Sequence, residues 1–359
     1  MDGLMTDTIG VYYFSTIPMD FLRQRPQQLF DAWPQRDGGC FTFYYVEPPC
    51  LHLKVRYGDS RFYTVLPWET PQAQKTIGAL IEAACERHAR RVAICAEVWE
   101  PMIARCDFAL ICYDYCDVPE VMDRHQKLLA KSDLVIAATE RLRQDVLARS
   151  PDKEVLLVSN GVDPAFFQTH RSRIAGDYVK NRPTAGFVGA VWHWIDVELI
   201  AATAVLLPDV DFLMIGPVAK YITLPTAGTG PPNLLWLGEK PYGQIPSYID
   251  LFDVALIPFK PGTIAETADP IKLYEYFVLG KPVVSTSVRQ AARYGDGRLL
   301  KIAGTAEDFA EAIRFFLRHD QPDWRDERRS IAGENSWSRK ADLICDHLGT
   351  WLGRAGSGV

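Results

Sequence analysis

The sequence predicts an α/β protein of two domains, each a parallel sheet with crossover helices. The chain has 359 residues, enough for two hydrophobic cores. Short β-rich runs alternate with helix-patterned stretches, the pattern of parallel sheets joined by helical crossovers. The alternation falls into two series, one ending near Ser159 and one starting near Pro183. Between them lies a polar, irregular stretch, DPAFFQTHRSRIAGDYVKNRP.

In the first series the expected strands are TIGVYYFS, FTFYYV, RFYTVLP, RVAICAE, FALICYD, DLVIAAT and EVLLVS, rich in β-branched and aromatic residues. AQKTIGALIEAACERHA places Ile77, Leu80, Ile81 and Ala84 at helical spacing, and ERLRQDVLARS is a second helix. In the second series TAGFVGAV, DFLMIGP, NLLWLG, DVALIPF and PVVST are strands, LLKIAG is a weaker one, and VELIAATAVLLP is a helix. The tail reads as helices, AEDFAEAIRFFLRH, DWRDERRSIAGENS and WSRKADLICDHLGTWL, followed by a disordered GRAGSGV.

Composition narrows the function. The chain is 48% hydrophobic and 23% charged, with a net charge of −6. A nucleic-acid partner is not expected, since such proteins are usually basic. No apolar run reaches the roughly 20 residues needed to span a bilayer. The N-terminus MDGLMTDTIG lacks a basic start and an apolar core, so a cytoplasmic location is expected. Eight cysteines are scattered without a C-x-x-C pair and read as reduced core residues. Cys112 and Cys116 flank a carboxylate, but no further ligand completes a metal site.

The most informative stretch is DPIKLYEYFVLGKPVVST, Asp269 to Thr286. Asp269 suits an N-cap and Pro270 the first helical position. Gly280 suits the left-handed residue that ends a helix, and Pro282 forbids continuation. A helix start at a sheet edge gathers free N–H groups and positive partial charge, which attract phosphate. Lys272 adds a full charge there, and Glu275, on the same face, suits sugar hydroxyls. The competing reading is an ordinary capped helix with a surface Lys–Glu pair worth ~0.2–0.5 kcal/mol.

Nine pieces, in order, resemble the bacterial group 1 glycosyltransferases, including the teichuronic-acid type of polysaccharide enzyme. They are FLRQRPQQLF, ICYDYCDVPE, KSDLVIAATERL, VSNGVDPAFF, FVGAV, LMIGPV, NLLWLGEKPYGQIPSYIDLF, DVALIPF and DPIKLYEYFVLGKPVVST. The resemblance implies a GT-B fold, two Rossmann-like domains facing a central cleft. Residues 1–165, joined by a C-terminal helix 337–353, would form the acceptor domain, and residues 180–335 the donor domain. It implies transfer of a sugar from a nucleoside diphosphate sugar, most often a UDP-sugar, to a hydroxyl of a glycan or lipid-linked glycan. No cofactor beyond this co-substrate, and no metal, is expected.

The resemblance places Lys272 on phosphate or the transferred sugar and Glu275 on ribose, with Tyr274, Asp269 and Thr267 beside them. Gly189 lets a backbone approach closely, His193 touches the sugar, and Val218 and Tyr242 lie near the base. The chain departs from the family in two ways. In the E-x7-E pattern the first glutamate would fall at Thr267, with Glu266 one residue out of register. GAVWHWIDVEL also lacks the Arg and Lys that neutralise diphosphate in relatives. A unit charge at ~4 Å is worth ~4 kcal/mol at an effective dielectric of 20, against 0.3–2 kcal/mol from a helix end. Lys272 with a helix end therefore leaves the diphosphate short of charge, and Arg23, Arg25, Lys220 and Lys260 are candidates to complete it. Asp114 ends a β-run, where α/β proteins bind ligands. It is the first candidate for the base of an inverting transfer, with Glu97 second. In a retaining enzyme Asp114 only positions acceptor.

Two other functions fit the sequence. One is a nucleotide-sugar epimerase of the same fold. The other is a non-catalytic sugar-nucleotide-binding partner, suggested by the missing charges. Phe21, Leu22, Arg23 and Arg25 are a candidate membrane-docking site, against the reading of a helix that packs its apolar face inward.

Overall fold

The computed structural model describes residues 6–19, 22–33, 41–46, 71–85, 88–119, 121–171, 176–225 and 228–356. The chain divides into two compact units, Met1–Val158 with Ala341–Val359, and Ser159–Lys340.

The first unit is built on six parallel strands: β1 (Thr6–Phe14), β2 (Phe41–Val46), β3 (His88–Cys95), β4 (Leu110–Tyr115), β5 (Leu134–Ala137) and β6 (Glu154–Leu157). Their order is β2-β1-β3-β4-β5-β6. The sequence run RFYTVLP lies outside the described residues. Every residue of β4 and β5 is buried, which is why these strands read as continuous apolar runs. Helices Met122–Lys131 and Glu140–Arg149 bury Leu128, Leu129, Leu142 and Val146. The second starts where the Thr139 hydroxyl accepts from the Leu142 amide at 3.2 Å. The C-terminal helix Trp337–Gly356 reaches this sheet through His347 on Glu154 at 2.9 Å and Arg90 on the Leu352 carbonyl at 2.9 Å. It continues through Gly356, beyond where the sequence suggests disorder.

The second unit has six parallel strands: β7 (Thr184–Val188), β8 (Asp211–Ile215), β9 (Leu234–Gly238), β10 (Val254–Ile257), β11 (Val283–Ser285) and β12 (Leu300–Ile302). Their order is β12-β11-β10-β7-β8-β9. The order reverses between β7 and β10, and ligands of open α/β sheets bind outside the carboxyl ends at such a switch point. Strands β7, β8 and β10 are buried throughout. A Cβ on Gly186 would stand 2.1 Å from the Phe252 ring, so this glycine lets ring and strand close-pack.

The stretch after Asp163, read as irregular, contains the helix Pro164–His170. Its only large apolar residues are Phe166 and Phe167, too few to display a period. The Asp163 side chain caps it on the Phe166 amide at 3.0 Å. The helix Ile271–Val278 ends as its sequence indicates. Gly280 takes φ of 71°, its amide donates to Phe277 O at 2.8 Å, and the Lys281 amide donates to Tyr276 O at 3.0 Å. This is a Schellman ending.

Candidate functional site

The carboxyl edge of the second sheet is knit from three loops. After β7 the chain bonds to the loop after β8 through Gly189 N to Ile215 O at 2.8 Å, Val191 N to Pro217 O at 2.9 Å and Ala219 N to Val191 O at 3.0 Å. It bonds to the loop after β10 through Asp196 N to Pro258 O at 2.8 Å and Lys260 N to Trp194 O at 2.7 Å. Gly216 has φ of 139°, and a Cβ there would lie 2.1 Å from Gly189 O. Only glycine allows the first two loops to approach this closely.

The helix Ile271–Val278 points its N-terminus into this edge and is fixed to β7, because the Val188 amide donates to the Tyr276 hydroxyl at 3.0 Å. Gly189 follows with φ of 146°. A Cβ on Gly189 would stand 1.9 Å from Lys272 Cε and 2.6 Å from its Nζ. The glycine predicted to admit a ligand therefore admits the lysine. The half-buried Lys272 lies with Nζ 5.8 Å from the centre of the Phe187 ring, a cation–π contact. Its ammonium makes no hydrogen bond or ion pair among the described residues. Burial pushes its pKa down, and Glu275 only partly offsets this.

Glu275 is buried and accepts a hydrogen bond from the Tyr242 hydroxyl at 3.0 Å. Burial pushes its pKa up, while Lys272 and the Tyr242 hydroxyl pull it down. The site thus holds a cation and an anion that share one sheet edge without forming an ion pair. Tyr242, expected near a base, spends its hydroxyl on Glu275. Val218 is half-buried in the loop after β8, bridged to Val191. His193 is exposed in the loop after β7, its ring 4.9 Å from that of Trp194.

Two expectations around this helix, on Asp269 and Tyr274, are corrected. Asp269 does not cap it: Pro270 holds the N-cap position, without a side-chain bond. The Asp269 carboxylate instead accepts from the Asn160 amide at 2.5 Å and the Tyr274 hydroxyl at 3.0 Å. The Asp269 carbonyl accepts from Asn160 Nδ2 at 2.6 Å. Asp269 is a buried anchor, not a binder of donor hydroxyls, because a partner 109 residues away claims its carboxylate. Tyr274 is fully buried on Asp269 and lies out of reach of a donor. Thr267 donates its hydroxyl to Thr263 O at 2.8 Å within its own short helix, Thr263–Thr267.

In the first unit the structure brings Arg25 and Asp114 to each other. Arg25 Nε donates to both Asp114 oxygens at 3.1 Å, its Nη2 lies 3.0 Å from Oδ1, and Nη1 donates to Val158 O at 2.9 Å. The Tyr13 hydroxyl also donates to Asp114. Burial works against the guanidinium charge, but the carboxylate outweighs it and holds Arg25 above its ordinary pKa. Two candidates with separate roles, a base and a phosphate ligand, are thus one closed pair. At 3% exposure Arg25 is also no part of a membrane-docking surface, and Phe21 lies outside the described residues. Arg23 is half-buried and paired with Asp31. Glu97 is half-buried in the turn that follows β3, at the carboxyl edge of its sheet. Among the described residues no three His, Cys, Asp or Glu side chains are grouped to hold a metal ion. Phe187, Gly216 and Tyr276 complete the second-unit site without a signal in the sequence, since each acts only through partners distant along the chain.

Residues 182–319 match the family described as Glycosyl transferases group 1. A protein of Bacillus subtilis (strain 168), named for a teichuronic acid biosynthesis glycosyltransferase, TuaH, is 24% identical over 227 residues, 59% of this chain and 55% of that protein. The match therefore spans about half the length of this curated relative. Sucrose-phosphate synthase from Thermosynechococcus elongatus aligns with a TM-score of 0.69 at 14% identity, covering 96% of this chain and 99% of that one. Anabaena HepE in complex with UDP aligns with a TM-score of 0.67 at 15% identity, covering 96% and 100%. At such identities the likeness is one of fold. The chain has the GT-B fold of two Rossmann-like α/β units, and its second unit carries a glycosyl transferase group 1 domain over residues 182–319.

Proposed function

We propose that the protein is a glycosyltransferase that takes a nucleoside diphosphate sugar, with UDP as the nucleotide, at the edge formed by Gly189, Lys272 and Glu275. The observation that carries the reading is that Lys272 and Glu275 lie together at a switch point without forming an ion pair, each charge only partly offsetting the burial of the other. A diphosphate supplies the anion that Lys272 lacks, assisted by the first amides of its helix. A ribose supplies hydroxyl donors to Glu275. The complex of HepE with UDP supports this choice of nucleotide.

In the reaction the bond between the anomeric carbon and the diphosphate oxygen breaks, and the electron pair leaves with the diphosphate. The acceptor hydroxyl oxygen bonds to that carbon and releases its proton. Lys272 acts where charge develops, on the leaving oxygen. Glu97 is our choice to take the proton, because Asp114 already accepts from Arg25 and Tyr13. The acceptor is a hydroxyl of a glycan or lipid-linked glycan, a class supported by the name of the Bacillus relative. We place the protein in the cytoplasm, with peripheral contact at the inner face of the membrane. Among the described residues no helix is long and apolar enough to cross a membrane. We infer a reaction without a metal, although Lys272 and the helix end supply less charge than the diphosphate carries.

The test is incubation with a panel of UDP-sugars and glycan acceptors, read by mass spectrometry, with UDP binding measured by calorimetry. A glycosylated acceptor and free UDP are expected, unaffected by EDTA. An acceptor-free arm separates transfer from epimerisation, and liposome flotation tests the membrane contact. If no nucleotide sugar binds and no product forms, the reading fails.

A further inference from the structure

The element VSNGVDPAFF has no role in the reaction described above, yet it leads physically to Glu275. Its helix, Pro164–His170, carries a column of rings: His170 lies over Phe166 at 4.2 Å and 24°, and Phe166 over Tyr242 at 4.9 Å and 18°. The helix is held at its start by Asp163 on the Phe166 amide. At its end, Ser247 donates to the His170 carbonyl at 2.9 Å, and His170 Nδ1 lies 2.8 Å from Phe166 O. Phe167 packs edge-on to Tyr242 at 6.3 Å. Stacking alone requires only a phenyl ring. The column ends instead in a hydroxyl placed on one oxygen, Oε1, of a buried carboxylate.

We propose that Tyr242 is a positioning residue for the donor: its hydroxyl fixes the plane of the Glu275 carboxylate, so that the second oxygen, Oε2, accepts from a ribose hydroxyl. The Phe166 ring in turn fixes Tyr242. This inference rests on the donor site assigned above. A carboxylate oriented in advance loses less freedom when the nucleotide binds, which raises affinity without adding a contact.

The test compares the full chain with Tyr242→Phe and Phe166→Leu, using UDP and 2′,3′-dideoxy-UDP in calorimetry and donor kinetics with the acceptor identified by the panel. Tyr242→Phe keeps the ring column and removes the hydroxyl. It is expected to weaken UDP about tenfold, as for one hydrogen bond to a charged group. It should change dideoxy-UDP less than about twofold, and raise the donor KM with kcat nearly constant. Phe166→Leu keeps the hydroxyl but removes its support, and should act in the same direction by about threefold. An equal loss for both nucleotides, or no loss of UDP affinity in Tyr242→Phe, overturns the inference while leaving the donor site intact. Absence of UDP binding by the unaltered protein removes the donor site, and this inference with it.

Discussion

Both units place a basic side chain and a carboxylate near the carboxyl edge of a parallel sheet, and they use them in opposite ways. Arg25 and Asp114 close on each other through a forked guanidinium, with Tyr13 completing the carboxylate. Lys272 and Glu275 lie three residues apart on one helix, and each is turned to a neutral neighbour, the Phe187 ring or the Tyr242 hydroxyl. Arg25 is held above its ordinary pKa by its partner, whereas burial drives Lys272 below its own. A closed pair offsets its own desolvation and belongs to the structure. An open one leaves more of its desolvation uncompensated, and in the function proposed above the donor supplies the missing partner. The lesson is that residue type and sheet position do not distinguish the two cases. Pairing does.

The largest expected effect tests the closed pair. Arg25→Met leaves Asp114 buried without its cation and should lower the unfolding free energy by about 3–5 kcal/mol in urea melts, with Arg25→Met/Asp114→Leu recovering most of it. A single-variant loss below about 1 kcal/mol would break the comparison. Lys272→Met tests the open pair. It should cut kcat/KM about 10²–10³-fold, or about 2.7–4 kcal/mol of transition-state stabilisation, without lowering the thermal midpoint. A large fall in that midpoint would show that the lysine belongs to the fold.

Gly189→Ala is expected to do both kinds of damage more mildly. The positive φ costs about 1–3 kcal/mol of stability, and the new Cβ drives Lys272 aside, so the donor KM should rise about tenfold. Calorimetry and steady-state kinetics on the same preparation separate the two.

The smallest effect is in pH. The folded protein lowers the Lys272 pKa and a bound diphosphate raises it again, so donor affinity should decline as pH rises through the free-site value, below that of an ordinary lysine. In the window between folded and unfolded pKa values the unfolded chain binds more protons. The contribution of Lys272 to stability therefore rises with pH there, opposite to binding. Binding and melting curves that moved together would contradict the open state of this lysine.

The sheets were largely legible in the sequence because parallel strands buried on both faces are long apolar runs. The helix after Asp269 was legible at its end, where Gly280 and Lys281 act locally. Its start is not, because the local preference of Asp269 for a cap is overridden by Asn160, far away in the chain. Arg25 and Asp114 each stand out in the sequence, but their union does not, since 89 residues separate them and no spacing rule joins a helix start to a strand end. Lys272 and Glu275 were readable because one helix turn holds both. The glycine that makes room for the lysine was found for another reason, and Phe187 beneath it carried no signal apart from its strand.

The bond between Asn160 and Asp269 bears on where the second unit can be cut free. The family match starts at residue 182, but the mouth of the Lys272 helix is moored at residue 160, and the segment around residue 160 is itself held by Asn335, whose carbonyl accepts from the Val162 amide at 3.1 Å. A recombinant fragment begun at Arg182 would lose that mooring and the Phe166 ring together, leaving Asp269 buried without its principal donor. One begun at Ser159 and carried to Lys340 keeps both, and is the shortest piece in which nucleotide binding should be sought.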